Sequence, residues 1–359
     1  MNQRGGAERV FAHIARAYPD APVYTALFDA RVTGDLVDPA RVRTSYLAHL
    51  PYANRYFRYL APFYPRAFER FDLRAYDVIV SSTTAWAKGV IVRPDAVHVC
   101  YINTVSRFAF AYDQYVGGFG LKSMARPMID ALVRWDKAAA QRPTRFVANS
   151  RNVADRIARY YGREADVLPC PVDVDRFTVG SGAGDYFFIA SRLLPYKRID
   201  VAIEASRIAG VPLLIAGTGP DEQRLRALAA RTSTVTLLGY VDDRAINDLM
   251  GNARAALLPG EEDFGLVPLE AAAAGRPAIA YRAGGALETV LEGQTGEYFN
   301  EPTAESLASA LRAFDGSRYD PHACRSHAET FAPVRFIERL RAIVSSSRAC
   351  RSTQLAKQT

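Results

Sequence analysis

Two acidic side chains, Glu262 and Glu270, stand in one stretch of the chain with seven residues between them. Carboxylates accept charge-assisted hydrogen bonds from hydroxyl groups, so two acids that frame one loop can grip separate parts of one elongated ligand. Each acid also has an ordinary explanation. Glu270 suits the dipole at the start of a helix, and Glu262 suits a solvated loop.

The elements that must position these acids are a strand, a loop and a helix. The apolar run at residues 255–258 predicts a buried strand, and the loop 260–265 follows it. Pro268 is expected to open a helix that Gly275 closes, with the second glutamate in its first turn. Free backbone N–H groups at this positive helix end suit a phosphate or a partly ionic sugar. The candidate contacts are Phe264, Gly265 and Leu266.

Two cations, Arg192 and Lys197, follow a second predicted strand at residues 186–190. Between a strand and a helix, such a pair can clamp a diphosphate and neutralise the charge of a leaving group. A solvated basic turn would show the same pattern. A further predicted strand runs into Gly217 and Gly219, which alone is a weak sign of dinucleotide binding because no Gly-x-Gly-x-x-Gly completes it.

The first half of the chain alternates strands with helices, which predicts a parallel sheet with ligands at the carboxyl ends of its strands. Asn103 and Arg107 follow the predicted strand 97–102 at such an end. An amide hydrogen-bonds a sugar hydroxyl or a diphosphate oxygen but cannot ionise. Near the start of the chain, Gly5 and Gly6 open an amphipathic helix, either as a plain turn or as a place where a phosphate approaches the backbone.

The composition sets the outer limits. A chain of 359 residues with 49% hydrophobic and 23% charged residues is ordinary for a globular protein of two domains. Its four cysteines are widely separated, which indicates neither a disulfide framework nor a metal site and fits a reducing cytoplasm. Because no apolar run reaches about 18 residues, we expect no membrane-spanning helix. The start of the chain, Met1-Asn-Gln-Arg-Gly-Gly, lacks the apolar segment of a secretory signal peptide, so we expect none.

Asp173 and Asp175 match an Asp-x-Asp pattern that binds divalent metals in another fold. They lie in a proline-rich segment, however, where a turn at a domain boundary is the better interpretation. We therefore predict no metal site.

The segment from Arg41 to Arg74 interleaves arginines with aromatic residues. Three interpretations stay open. The rings pack inward in a pair of helices, or they lie at the surface of an anionic membrane, or they stack on nucleic-acid bases. The net charge of +7 fits the last two, but no nucleic-acid-binding motif accompanies the segment.

The stretch 257–275, with Gly284-Gly285-Ala-Leu-Glu288-Thr-Val after it, resembles the nucleotide-sugar site of the retaining glycosyltransferases of family 4, which have the GT-B fold. A Gly-Gly-Ala-Glu-Arg loop similar to that at Gly5 also occurs in that family. The resemblance extends from about residue 5 to residue 344 and is strongest over residues 186–299.

The resemblance implies a role for each candidate residue. Glu262 would contact the transferred hexose, Glu270 would hold the ribose hydroxyls, and Val241 would lie near the base. Relatives usually have His-Thr-Pro-x-Arg where this chain has Asn103-Thr-Val-Ser-Arg107. The implied set consists of catalytic residues (Glu262, Arg192, Lys197, Asn103), donor-binding residues (Gly217, Gly219, Val241, Phe264, Gly265, Leu266, Glu270) and acceptor or diphosphate loop residues (Gly5, Gly6, Arg107).

The implied fold class is α/β, a GT-B architecture of two Rossmann-like domains whose parallel sheets face across a cleft. Residues 1–172 would bind the acceptor, residues 173–330 the nucleotide sugar, and residues 331–359 would form a closing helix and a loose tail. In relatives a strand precedes the Gly-Gly loop. Only Met1 to Arg4 precede it here, so we expect that first strand to be missing.

The implied function is retaining, metal-independent transfer of a hexose, most like mannose from GDP-mannose, without a cofactor. The acceptor would be a lipid-linked saccharide in cell-surface polysaccharide assembly, and the enzyme would sit peripherally on the cytoplasmic face of the plasma membrane, without nucleic acid. A UDP-glucose or UDP-galactose enzyme remains open, as does a non-catalytic nucleotide-sugar binder. The paired glutamates disfavour a sugar-nucleotide epimerase.

Overall fold

The computed structural model describes residues 1–3, 5–106, 126–181 and 184–356. The chain forms two units: unit 1 comprises Met1–Pro169 and Val334–Thr359, and unit 2 comprises Cys170–Pro333. The division falls at residues 170 and 334, whereas the sequence led us to place it at 173 and 331. Within the described residues, no helix is long and apolar enough to cross a membrane.

Unit 1 is built on parallel strands. Its elements are α1 (Gly6–Ala17), β1 (Val23–Thr25), α2 (Ala30–Thr33), β2 (Val42–Thr44), α3 (Tyr64–Glu69), β3 (Val78–Thr83), β4 (Val97–Ile102), α4 (Arg126–Ala139), β5 (Arg145–Ala148), α5 (Arg151–Tyr161) and β6 (Ala165–Val167). Strands β3, β4, β5 and β6 lie side by side in that order, and β1 and β2 pair separately. Every residue of β4 is buried, as expected for a central parallel strand.

Helix α1 confirms the prediction of an amphipathic helix after the glycine pair. Gly5 is the residue before its first turn and has extended backbone, with φ −145°. Its apolar face includes Val10, Ile14 and Ala15, which are buried. His13 is buried as well, although its polarity gave no sign of this.

The C-terminal helix corrects one expectation. We predicted a closing helix and a loose tail within residues 331–359, but helix α13 runs from Pro333 to Ala356. Neither glycine nor proline interrupts this segment after its first residue, and the hydroxyls of Ser346 and Ser347 bond back to the carbonyl of Ile343. The serine-rich run therefore continues the helix.

Unit 2 is a doubly wound α/β unit. Its elements are β7 (Phe187–Ala190), α6 (Ile199–Ala209), β8 (Leu213–Ala216), α7 (Glu222–Ala229), β9 (Val235–Gly239), α8 (Asp243–Asn252), β10 (Ala256–Leu258), α9 (Leu266–Ala273), β11 (Ala278–Tyr281), α10 (Ala286–Thr289), β12 (Gly296–Phe299), α11 (Ala304–Ala313) and α12 (Pro321–Glu329). Strands β7 and β10 correspond to the strands predicted at residues 186–190 and 255–258.

The parallel sheet of unit 2 has the order β12-β11-β10-β7-β8-β9. The chain winds from β7 to β9 on one side and then returns to build β10 to β12 on the other. The strand order reverses between β7 and β10, and loops leaving neighbouring strands at such a switch point form the usual ligand site of an open α/β sheet. Arg192 and Lys197 follow β7, and Glu262 follows β10, so the fold brings these candidates to one edge.

Candidate active site

Lys197 and Glu262 form an ion pair at the switch point of unit 2. Lys197 ends the short 3-10 helix Pro195–Lys197 after β7, and its Nζ donates to Oε1 of Glu262 in the loop after β10. The two side chains are only 18% and 15% exposed, so each charge is partly removed from water. Sequence reasoning nominated both residues but did not pair them.

The two loops also touch through their backbones. A Cβ at Gly260 would lie 2.6 Å from the carbonyl oxygen of Tyr196, closer than real Cβ contacts. Only glycine therefore lets the second loop lie on the first. Farther along, the N–H of Gly285 donates to the carbonyl of Glu262 over 2.8 Å, which ties this loop to the one after β11.

Helix α9 starts earlier than predicted. It begins at Leu266 rather than at Pro268, because Gly265 takes φ +87° and turns the chain into the helix. Pro268 is tolerated at the third helical position, where its missing N–H has no partner to lose. No side chain caps this end. The free N–H groups therefore make this end of the helix the local positive pole. At the other end, Gly275 has φ +71°, which confirms the predicted end of the helix near this residue.

Glu270 lies in the second turn of α9, not in the first, and an arginine holds it. Nη2 of Arg176 donates to Oε1 of Glu270 over 3.3 Å, and Nη1 lies 3.6 Å from Oδ2 of Asp243. The arginine stacks over the ring of Phe177, 4.6 Å from its centroid. Sequence reasoning missed Arg176, because 94 positions separate it from Glu270.

Arg192 differs from Lys197. Its side chain is exposed and makes no hydrogen bond or ion pair with any residue that the structure describes. The adjacent backbone is tightly held: a Cβ at Gly217 would lie 1.8 Å from the carbonyl oxygen of Ser191, and one at Gly219 would lie 2.3 Å from that of Leu193. The glycines therefore serve close packing of the loops after β7 and β8.

The remaining donor-binding candidates lie around these loops. Phe264 is buried and packs edge-on against Phe331, with centroids 6.2 Å apart, so it supports the loop from inside. Val241 is half-buried just after β9, next to Tyr240, whose side chain is 80% exposed. A flat, exposed ring beside the predicted base contact was not among the sequence candidates.

Asn103 is a buried polar candidate in unit 1. Asn103 is 9% exposed, and its Nδ2 donates to the hydroxyl of Ser82 at 3.0 Å and to the carbonyl of Thr83 at 3.3 Å. Both N–H groups of the amide are thereby engaged, so Oδ1 is the group that suits a ligand hydroxyl. Arg107 lies outside the described residues.

Asp175, from the Asp-x-Asp pattern, belongs to unit 2. Its side chain is fully exposed, and its Oδ1 lies 3.7 Å from Nη2 of Arg325.

The comparisons with known proteins identify both halves of the chain. Residues 4–176 match the family described as Glycosyltransferase Family 4, and residues 174–330 match Glycosyl transferases group 1. The chain belongs to glycosyltransferase family 4. The predicted family is confirmed.

Two curated bacterial proteins are similar in sequence to this chain. The D-inositol 3-phosphate glycosyltransferase of Geodermatophilus obscurus is 30% identical over 251 residues, which cover 60% of this chain and 55% of that protein. The GDP-mannose-dependent alpha-(1-6)-phosphatidylinositol monomannoside mannosyltransferase of Mycolicibacterium smegmatis is 29% identical over 45% of this chain and 50% of that protein. The chain thus spans about half the length of the curated relatives that it matches.

Solved structures confirm the GT-B fold with two Rossmann-like domains. Anabaena Alr3699/HepE in complex with UDP and glucose superimposes with a TM-score of 0.68 at 18% identity, covering 96% of this chain and 97% of that one. The sucrose-phosphate synthase of Thermosynechococcus elongatus gives 0.59 at 19% identity, covering 88% and 82%. At these identities the likeness concerns the fold alone.

Proposed function

We propose that this protein is a retaining hexosyltransferase that moves mannose from GDP-mannose to a saccharide acceptor. The observation that carries the proposal is the pairing of Lys197 with Glu262 at the switch point of unit 2, next to the uncapped start of α9. A cation, a carboxylate and a helix N-terminus at one edge suit a diphosphate joined to a sugar.

The reaction breaks the bond between the anomeric carbon and the diphosphate oxygen. The sugar gains oxocarbenium character while the negative charge grows on the departing nucleoside diphosphate. Lys197, Arg192 and the N–H groups of α9 would stabilise that charge, and Glu262 would orient the hexose through its hydroxyls. The acceptor oxygen then bonds to the same face of the sugar and loses its proton to the leaving phosphate, which retains the configuration.

These protein cations take the place of a divalent metal in the proposal, so no metal or cofactor is needed. Glu270, held by Arg176, would bind the ribose hydroxyls, and Val241 with Tyr240 would lie near the base. In unit 1, Asn103 would accept a hydrogen bond from a sugar hydroxyl through Oδ1. Because its N–H groups are engaged by Ser82 and Thr83, Asn103 has no donor left for a diphosphate oxygen.

The relatives named as GDP-mannose-dependent support this choice of donor. A UDP-glucose or UDP-galactose donor is the second candidate, favoured by the likeness of the fold to HepE, which was solved with UDP-glucose. Both donors share the diphosphate and the hexose. They differ in the base and in the stereochemistry of the sugar, and the motifs around Lys197 and Glu262 do not distinguish these features.

The acceptor is proposed to be lipid-linked, because unit 1 exposes an aromatic and basic surface. We name the aromatic-basic patch as the exposed side chains Tyr46, Tyr52, Arg55, Tyr56, Arg58, Tyr59, Phe63, Arg66 and Arg70. Tyr52 is 73% and Tyr59 76% exposed, so these rings do not pack inward. Glu69 is the single acid between residues 41 and 71. Aromatic rings with cations suit an anionic membrane surface.

The test is a donor panel. GDP-mannose, UDP-glucose and UDP-galactose, each labelled in the sugar, are incubated with the protein and with bacterial lipid extracts or soluble saccharides, and label transfer is counted. We expect transfer from GDP-mannose to a lipid acceptor, and loss of transfer in Lys197→Ala but not in Arg207→Ala, a cation paired with Glu204 on another part of the surface. Binding without transfer for every donor would favour a non-catalytic binder and overturn the proposal.

A further inference from the structure

Four polar side chains from four separate segments meet inside unit 1. Lys88, in the 3-10 turn Ala87–Gly89, is 1% exposed, and Asp136, on α4, is fully buried. Their charged groups lie 2.5 Å apart. Ser106, four residues after β4, and Tyr161, the last residue of α5, are also buried. We call these four residues the buried polar cluster.

The hydrogen bonds of the buried polar cluster converge on Asp136. Oδ1 accepts from the hydroxyl of Ser106 over 2.6 Å, and Oδ2 accepts from the hydroxyl of Tyr161 over 2.7 Å. Nζ of Lys88 donates to Ser106 over 3.2 Å. Ser106 therefore contacts both members of the ion pair. It is the member of the cluster that belongs to the segment after β4.

Stability alone is a poor reason for this arrangement. Removing two charges from water offsets most of their attraction, and apolar side chains of similar volume often stabilise a core as well or better. What an apolar core cannot do is fix one hydroxyl in one direction. The segment 103–106 is held at its other end by Asn103, whose carbonyl accepts from Nδ2 of Asn149 over 2.9 Å.

We propose that Lys88 and Asp136 are positioning residues that fix the segment Asn103–Ser106 through the hydroxyl of Ser106. The inference rests on the proposed function, because that function assigns Asn103 to a hydroxyl of the sugar. By fixing the segment from both ends, the buried polar cluster keeps Oδ1 of Asn103 in place for a hydroxyl, which lowers the ordering cost of binding.

Ser106→Ala and Ser45→Ala form a matched pair of variants. Each removes one buried serine hydroxyl of unit 1, but Ser45, which donates to the carbonyl of Ala26 over 2.9 Å, lies outside the segment after β4. Hydrogen exchange of the full chain, followed by mass spectrometry, reports the amides of residues 103–106 directly. We expect Ser106→Ala to speed their exchange about tenfold, a change equivalent to about 1.4 kcal/mol, while Ser45→Ala leaves them near the wild-type rate. Ser106→Thr, which keeps the hydroxyl, should restore the protection.

Kinetics supply a second readout. With an acceptor found in the donor panel, Ser106→Ala should raise the acceptor KM or lower kcat about tenfold, whereas the Kd for GDP, measured by calorimetry, stays unchanged. Equal exchange of residues 103–106 in Ser106→Ala and Ser45→Ala would overturn the positioning role. An inactive wild-type protein would instead count against the proposed function, and the exchange comparison would still decide the positioning role.

Discussion

At the scale of single residues, the structure turns two separate candidates into paired groups. Lys197 was predicted as a diphosphate ligand and Glu262 as a hexose ligand, and their contact joins the loops after β7 and β10. Glu270 has a partner as well, since Arg176 fixes one of its oxygens. A carboxylate whose orientation is fixed before binding loses less entropy when it bonds a hydroxyl.

The first prediction concerns Glu270. If its carboxylate binds ribose hydroxyls through charge-assisted bonds, Glu270→Ala should weaken donor use about 10- to 100-fold, seen in the KM for the sugar nucleotide. Glu262→Ala should reduce kcat more than it affects donor binding. Glu204→Ala, an exposed acid paired with Arg207, is the control. Wild-type kinetics in both site variants would remove these acids from the site.

The second prediction is that activity survives EDTA. If Lys197 stabilises the charge on the leaving group, Lys197→Ala should lose about 3–4 kcal/mol of transition-state stabilisation, by analogy with other preorganised donors. Initial rates with and without the chelator, for the wild type and the variant, measure both effects. Loss of wild-type activity in EDTA with rescue by Mg²⁺ or Mn²⁺ would redirect attention to Asp173 and Asp175.

At the scale of elements, close backbone approach decides where the loops after β7 and β8 lie. Gly217 has φ +136°, and a Cβ there would overlap the carbonyl of Ser191. Gly210 also has a positive φ, +71°, but a Cβ at that residue would meet nothing within 4 Å. A side chain at Gly210 would therefore meet backbone strain alone, whereas one at Gly217 would meet both strain and overlap.

The third prediction uses that difference. Gly210→Ala should cost only the strain of a left-handed residue, about 1–2 kcal/mol. Gly217→Ala should cost more, and it should also weaken GDP-mannose binding, because the loop that carries Arg192 must shift. Melting temperature and calorimetric affinity of the two variants make the comparison. Equal losses would show that the loop adapts and that its position is not critical.

The fourth prediction concerns His98 in the middle of β4. Burial lowers the pKa of His98 to about 3, and its Nε2 lies 2.8 Å from the hydroxyl of Ser81. The imidazole is thus neutral in the folded state, whereas the unfolded chain binds a proton below about pH 6.5. Stability from this residue is fully present above about pH 6.5 and is lost as the pH falls towards about 3.

Between those limits, His98 should contribute a slope of about 1.4 kcal/mol per pH unit to the free energy of unfolding. Hydrogen exchange of the β4 amides from about pH 5 to about pH 7 measures the slope in unit 1, after correction for the intrinsic exchange rate. In His98→Gln, which cannot titrate, the slope should be shallower by that amount. An unchanged slope would mean that the imidazole is protonated in the fold.

At the scale of the whole molecule, part of the positive charge behind the net value of +7 is concentrated in one surface region. The aromatic-basic patch of unit 1 presents arginines, some of them stacked on neighbouring rings: Arg55 lies over Tyr56, and Arg58 lies over Phe57 at 4.9 Å. Charge that is concentrated on one surface attracts an anionic membrane more strongly than the same charge spread evenly.

The fifth prediction is that the protein binds anionic vesicles and that salt weakens the binding. Sedimentation with phosphatidylglycerol vesicles at low and high ionic strength measures it. The double variant Arg55→Glu, Arg58→Glu should bind about tenfold more weakly or worse, while Arg207→Glu, Arg226→Glu, with the same change in net charge on unit 2, should bind nearly as the wild type does. Equal binding by both variants would assign the effect to net charge alone.

Much of the fold could be predicted from the sequence because it depends on local patterns. Strand β4 and the helix after Gly5 follow from apolar runs and periodicity, and the family follows from motifs that are contiguous in the chain. The start of α9 could not be placed, because Pro268 signals a helix start while the left-handed turn at Gly265 sets the actual one. The helical tail after Ser347 was missed for a similar reason, since serine is common in loops but also bonds to the preceding turn.

The sequence alone established which residue types are available: two acids, two cations and glycine-rich loops at the ends of apolar strands. How they combine depends on the tertiary structure. Lys197 meets Glu262 across 65 positions, Arg176 meets Glu270 across 94, and Lys88 meets Asp136 across 48. The physical reason is that parallel strands join through long crossovers, so loops that are neighbours at the sheet edge are distant in the chain. Local patterns specify the strands, and strand order brings the charges together.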